Sequence, residues 1–420
     1  MIIINFLRKI FLLAIILLLG LFFVFMIKPA TLPNGTWRAA IQREDGHRIV
    51  FNFVTKDSAG KKIMYVINGK EHLLVDSIIS RGDSVFIQMP FFESGFAAKL
   101  NADGNLQGEW IKHYGKRVLH LPFEAEFNNK NRFKITEAPV ANISGTWVST
   151  FTSGNRTSTF VTTFHQDGHH LSGAVLDPTG DFRFLDGIVN GDSLKLSTFD
   201  GGNAYLLTAK IDNSNKISGG KFYAGATGIS EWTSERNDTA KVTDNFNNGG
   251  ESLSDAHLDF TFPDSKSGKM ISINDDRFKG KVVVVQILGS WCPNCMDETK
   301  FLSDYYNKNH QRGFEVIGLA YERTPDFKAS QKALMPFEKR LNAQYPILIT
   351  GVAVGDPDLT QKTLPQIKKI SAFPTSIFID KKGKIRKIDS GFNGPATGEY
   401  YTKFKKEFEQ FVEKLLAEKE

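Results

Sequence analysis

The only two cysteines of this 420-residue chain stand three positions apart, in Trp291-Cys292-Pro293-Asn294-Cys295. They come just after the apolar run Val282-Val283-Val284-Val285-Gln286-Ile287-Leu288, where a strand hands over to a helix. At i,i+3 on a helix the two Cα atoms lie about 5 Å apart, within the reach of a disulfide. The pattern predicts a reversible dithiol, with the first sulfur exposed at the helix N-terminus and the second one turn inside. A structural zinc site is the rival use of the motif. It needs two further ligands, and the sequence offers no second cysteine pair or nearby histidine pair. His165, His169 and His170 cluster around Gln166-Asp167-Gly168, which reads more simply as a hairpin turn.

The length allows two to three domains, and 41% hydrophobic with 23% charged residues argues against wholesale disorder. The 35 Phe and 36 Gly suit strand-rich structure with many turns. A net charge of +6 is spread among alternating acids, so it reads as solvated surface, and no nucleic-acid partner is expected. The N-terminus differs from the rest. Ile10 to Ile27 is uninterrupted apolar sequence between Arg8-Lys9 and Lys28-Pro29, near the minimum length for a bilayer-spanning helix. A cleavable signal peptide shares that layout but ends in small residues, whereas this one exits through Phe22-Phe23-Val24-Phe25-Met26-Ile27. Residues 1–30 are therefore read as an uncleaved signal anchor. The expected location is a single pass of the cytoplasmic (inner) membrane, with the later domains in the periplasm.

From Leu32 to about Ala240, short alternating runs are broken by Gly, Asn and Asp, the pattern of strands and hairpins. Gly35-Thr36-Trp37 recurs as Gly145-Thr146-Trp147, and Gly82-Asp83-Ser84 as Gly191-Asp192-Ser193. A looser echo links Leu106–Trp110 to Ile217–Phe222. Two similar β-rich units, barrel- or sandwich-like, are expected at 31–137 and 138–237; one larger sandwich is the alternative. A polar stretch at 238–254 reads as a linker. Beyond it, strands at Lys269–Ile273, Val282–Leu288, Phe314–Ala320, Ile347–Thr350, Thr375–Ile379 and Lys384–Ile388 alternate with helices at Pro293–Asn309, Phe327–Leu341 and Tyr400–Leu416. In the last helix Phe404, Phe408, Phe411 and Leu415 form a stripe suited to packing on a sheet. Alternation of this kind around a CxxC points to a thioredoxin-like α/β domain over 255–420.

Disulfide exchange needs a thiolate, and Cys292 would face the positive end of the helix dipole. Cys295 would then resolve the mixed disulfide from the interior. Pro293 suits the first helical turn and stiffens the loop between the sulfurs. Resolution needs a proton acceptor. Glu298, three residues past Cys295 on the same face, is the first candidate; Asp297, one position round the helix, is expected to point into solvent. The plain alternative for both is an ordinary helix-surface carboxylate. Phe373-Pro374 precedes the strand-like Thr375-Ser376-Ile377-Phe378-Ile379 and is read as a cis-proline turn lying against the cysteines and pairing with extended substrate. Trp291 either shields the disulfide and stacks on substrate or simply packs.

With these residues in place, the segment from about Leu258 to Leu416 resembles the TlpA/ResA type of thiol-disulfide oxidoreductase in the thioredoxin superfamily. The resemblance rests on Leu258–Asp264 with Gly268–Ile273, on Lys279–Val285 leading into the cysteine motif, on Phe314–Leu319, and on Phe373-Pro374-Thr375. It implies reduction of protein disulfides outside the cytoplasm, no cofactor, and electrons supplied by a membrane thiol donor. The family's active-site glutamate falls on Glu298. Ile287-Leu288 replace the usual aromatic pair, and Gln286 stands where thioredoxin itself has an acid. Two other functions compete: a thiol peroxidase on the same fold, and a binding protein whose β repeats carry the main role.

Overall fold

The computed structural model describes residues 32–242 and 256–419. The expected anchor and most of the expected linker lie outside the described residues. Among the described residues, no helix is long and apolar enough to cross a membrane.

The first unit is a meander of β1 (Gly35–Gln42), β2 (Arg48–Ser58), β3 (Lys61–Asn68), β4 (Glu71–Val75), β5 (Ser77–Arg81), β6 (Ser84–Gln88), β7 (Ser94–Leu100), β8 (Leu106–Tyr114) and β9 (Arg117–Phe127). Its first strand pairs with its last, and the sheet ends at β4 and β5, neighbouring runs separated only by Asp76. The second unit repeats the plan. Its strands are β10 (Gly145–Ser153), β11 (Arg156–Asp167), β12 (His170–Asp177), β13 (Gly180–Asp181), β14 (Leu185–Asn190), β15 (Ser193–Phe199), β16 (Ala204–Asn213), β17 (Lys216–Ala224) and β18 (Gly228–Arg236). Here β10 pairs with β18 and β11 with β12, so the ring closes into a barrel and leaves no edge except at the short β13. The repeated Gly-Thr-Trp opens the first strand of each unit. Trp37 and Trp147 are fully buried, their indole N–H groups donating to Thr55 Oγ1 and the Ile143 carbonyl, each at 2.9 Å. Each unit forms its own hydrogen-bonded sheet, and Phe199, Ala204, Leu206 and Tyr223 of the second pack into the apolar cluster of the first. The two are joined by Arg132, whose guanidinium donates to the Ser197 carbonyl at 3.0 Å and to the Ile67 carbonyl.

The C-terminal domain begins with the hairpin β19 (Thr261–Pro263) and β20 (Met270–Ser272). Its sheet holds β21 (Val282–Leu288), β22 (Phe314–Ala320), β23 (Ile347–Ile349), β24 (Thr375–Ile379) and β25 (Ile385–Ser390), in the order β23-β22-β21-β24-β25. β21 runs parallel to β22 and antiparallel to β24, with all seven residues buried. That double burial is why its sequence is a continuous apolar run. Val282, Val284 and Leu288 face the helices α1 (Pro293–Asn309), α2 (Phe327–Leu341) and α4 (Glu399–Ala417). Val283, Val285 and Ile287 face the opening segment and the region of α3 (Leu359–Thr363). The layout is the thioredoxin-like α/β arrangement. On α4 the stripe is Phe404, Phe408, Val412 and Leu415; Phe411 is only half-buried, because a 3.6-residue period centred on Phe408 points Val412 at the sheet.

Candidate functional site

β21 ends at the centre of the sheet, and the chain turns through Gly289 and Ser290 into α1. A side chain at Gly289 would run into the indole of Trp291, its Cβ 2.2 Å from Nε1. Cys292 is the N-cap of α1, and its Sγ accepts the Cys295 N–H at 3.2 Å. The Cys292 thiol also faces the Phe373 carbonyl at 3.6 Å, across a Phe373–Pro374 bond that is cis. Trp291 donates from Nε1 to the Tyr321 carbonyl at 2.8 Å and packs on Phe373 with ring centroids 5.3 Å apart. Thus Trp291, Cys292, Phe373 and Pro374 meet at the end of β21 and β24. Both cysteines are free thiols.

Cys295 is fully buried, and burial together with the neighbouring Cys292 pushes its thiol well above the ordinary 9.0. Glu298 is buried one helical turn further along. Its Oε2 accepts from Gln286 Nε2 at 2.8 Å and its Oε1 from Ser376 Oγ at 2.9 Å. Burial pushes this carboxyl up to about 7, the two hydrogen bonds only partly opposing it. Gln286, unbroken within the apolar strand, is held by Thr299 Oγ1 donating to its Oε1 at 3.0 Å. Its amide therefore has one orientation, donor toward Glu298.

A buried carboxyl outside the sequence candidates stands beside the turn. Glu322, just past β22, accepts from the backbone N–H and hydroxyl of Ser290 at 2.8 and 2.7 Å, and burial pushes it up to about 7. It fixes the turn two residues before Cys292. The available signal was an acid at the C-terminal end of a buried parallel strand, where α/β folds place their sites.

Residues 253–402 match the Redoxin family model. The C-terminal part of this chain is a redoxin domain. Thiol-disulfide oxidoreductase ResA of Bacillus thuringiensis subsp. konkukian (strain 97-27) is 31% identical over 118 residues, 28% of this chain and 58% of that protein. ResA of Bacillus subtilis (strain 168) is 25% identical over 145 residues, 34% of this chain and 71% of its own length. The chain thus spans less than two thirds of the first of these curated relatives. A solved thiol:disulfide interchange protein of the thioredoxin family from Chlorobium tepidum TLS is 22% identical, covering 39% of this chain and 96% of its own, with a TM-score of 0.29.

Two expectations fail at the outer side of the redoxin domain's motif, for one reason: the β units cover it. Cys292 is not exposed but 5% accessible, within an apolar cluster that includes Phe92 of the first unit. Asp297 does not point into solvent. Its Oδ2 accepts from Arg183 Nη1 of the second unit at 2.6 Å, and burial pushes its carboxyl up to about 7 against the pull of that cation. Arg323, from the loop after β22, lies between Trp291 and Tyr114 of the first unit, 5.3 and 5.0 Å from the two ring centroids. The histidines do form a hairpin, β11 to β12; His170 Nε2 lies 2.7 Å from Asp186 Oδ1 and His169 bonds the Val189 carbonyl.

Proposed function

We propose that this protein is a thiol-disulfide oxidoreductase that reduces protein disulfides through Cys292 and Cys295, tethered by residues 1–30 in the inner membrane with its other domains in the periplasm. The observation that carries the reading is a reduced cysteine pair at a helix mouth, with the Cys295 N–H on the Cys292 sulfur and a buried carboxyl, Glu298, near Cys295. The redoxin match and the ResA relatives support the same chemistry.

The steps follow from the positions. Cys292, as thiolate, attacks one sulfur of a client disulfide; that bond breaks, and the first client thiolate leaves. A Cys292–client mixed disulfide remains. Cys295 passes its proton to Glu298 and attacks the Cys292 sulfur, expelling the second client thiolate. The client has gained two electrons, and the enzyme holds a Cys292–Cys295 disulfide. A dithiol donor in the membrane restores the pair by the reverse exchange, so no cofactor enters. Trp291, Phe373 and Pro374 form the wall against which an extended client segment would lie.

Redox titration of the protein against dithiothreitol tests this directly. A two-electron transition that disappears in Cys292→Ser, with a client captured as a mixed disulfide by Cys295→Ser, is expected. A cysteine pair that fails to cycle sinks the reading.

A further inference from the structure

A cation from the second β unit reaches the first turn of the redox helix. Arg183, just after β13, has a side chain that is 1% exposed. Its Nη1 donates to the Pro293 carbonyl at 3.2 Å as well as to Asp297 Oδ2; its Nε faces Asp200 Oδ2 at 3.1 Å, and its Nη2 pairs with Glu71. One guanidinium therefore ties the first unit, the second unit and Pro293, one of the two residues between the cysteines. A second tie lies beside it, where Asp181 Oδ2 accepts the Gly394 N–H at 2.8 Å.

The backbone carries independent marks of the same junction. Arg183, Phe92 and Glu93 have positive φ of 59°, 68° and 46°, a conformation that side-chain-bearing residues rarely adopt. Phe92 uses it to reach the cluster around Cys292. At Gly202 the fit is closer still: a Cβ there would lie 2.8 Å from the Phe92 ring and 3.0 Å from Pro293 Cγ. A domain joint that merely held two bodies together would be served by apolar packing, since a buried ion cluster adds little net stability. This one is built on Pro293 and Asp297, which both follow Cys292 at the start of its helix.

We infer that the β units are a cap over the redox motif and that Arg183 is the positioning residue that closes it, so that bulky client disulfides reach Cys292 only when the Arg183 contacts to Pro293 and Asp297 part. The inference rests on the proposed exchange reaction and adds its control of access. With the cap down, the cysteine turn is sheltered; with it lifted, the Phe373-Pro374 segment and the Cys292 sulfur are presented together.

The test uses the full chain, reduced, in a Cys295→Ser background so that Cys292 alone reports. Its rate of modification is compared for iodoacetamide and for a maleimide bearing a polyethylene glycol chain. In the otherwise unaltered protein the bulky reagent should be strongly disfavoured relative to its rate on a free thiol peptide. Arg183→Met and Asp297→Ala should each raise the bulky-reagent rate about tenfold, since losing one partner of a buried pair shifts a closed–open balance at least that far. The iodoacetamide rate should change far less. Asp297→Ala changes no residue of either β unit and stands in should Arg183→Met fail to fold. Two results overturn the inference: unhindered bulky labelling of the parent, or an unchanged ratio in a folded variant. Either can occur while the cysteine pair still cycles with dithiothreitol, which separates this failure from failure of the proposed reaction.

Discussion

Replacing Glu298 by Gln tests the proposed proton acceptor apart from the two sulfurs. The substitution keeps the volume, and both hydrogen bonds can be remade: the new amide oxygen accepts from Gln286 Nε2 while its nitrogen donates to Ser376 Oγ. What is lost is a group that takes up a proton near pH 7. Cys295, pushed well above 9.0, yields its proton slowly without one. A positioned general base contributes about 10²–10⁴ in rate, so closure of the mixed disulfide should slow about a hundredfold or more. The assay is stopped-flow release of thionitrobenzoate from protein loaded at Cys292, followed from about pH 5 to about pH 9 to bracket that titration. The unaltered protein should show an inflection near 7; Glu298→Gln should lack it. Stability moves with the same group. The folded state holds this proton to about 7 and the unfolded chain only to 4.5, so folding binds a proton between those values. The contribution is full below 4.5 and fades as pH rises through about 7, a span equivalent to about 3 kcal/mol. The variant should flatten that part of a urea-unfolding profile. Closure at the parent rate with the inflection intact would refute the assignment and point instead to Glu322, which is held near the same value.

Gln286→Leu removes the donor that partly holds the Glu298 carboxyl down, so the inflection in the closure rate should move to higher pH in the same stopped-flow assay. No movement would mean that this hydrogen bond does not govern the acid. Trp147→Ala empties a fully buried site and strands the Ile143 carbonyl, which should cost the second barrel about 3–5 kcal/mol in chemical denaturation. A loss below about 1 kcal/mol would show that the repeated Gly-Thr-Trp does not anchor the ring.

Elements whose cause is local were legible in the sequence. Val282–Leu288 reads as a doubly buried strand because every residue is apolar or, in Gln286, saturated by neighbours in the fold. α1 begins at Pro293 and α2 ends at Leu341, where the text of the chain supplies a proline for the first turn and an asparagine, Asn342, in the left-handed conformation after the last. The repeat was legible for the same reason: Gly82 and Gly191 both turn the chain with positive φ, at 61° and 58°, into β6 and β15. Ring closure was not. It depends on β10 meeting β18 and β11 meeting β12, and alternation along one strand carries no address for its partner.

The site divides along the same line. Glu298 could be placed from helical spacing alone, because the face it shares with Cys295 is set by α1 itself. Asp297 and the outer side of Cys292 could not, because what covers them comes from residues 92, 183 and 202, far away in the chain. Read in isolation, Asp181-Phe182-Arg183 is an unremarked turn with one acid and one base. It joins the cysteine site only when Glu71, Asp200 and Asp297 converge on the same guanidinium from three separate segments. Helical periodicity predicts which face of a helix meets its own sheet; it cannot say whether a second domain will take the face left over. Where a fused module lies against a cysteine motif, exposure must be judged from the assembled chain, and in this one Cys292 is sheltered by a neighbour that the motif's own sequence does not mention.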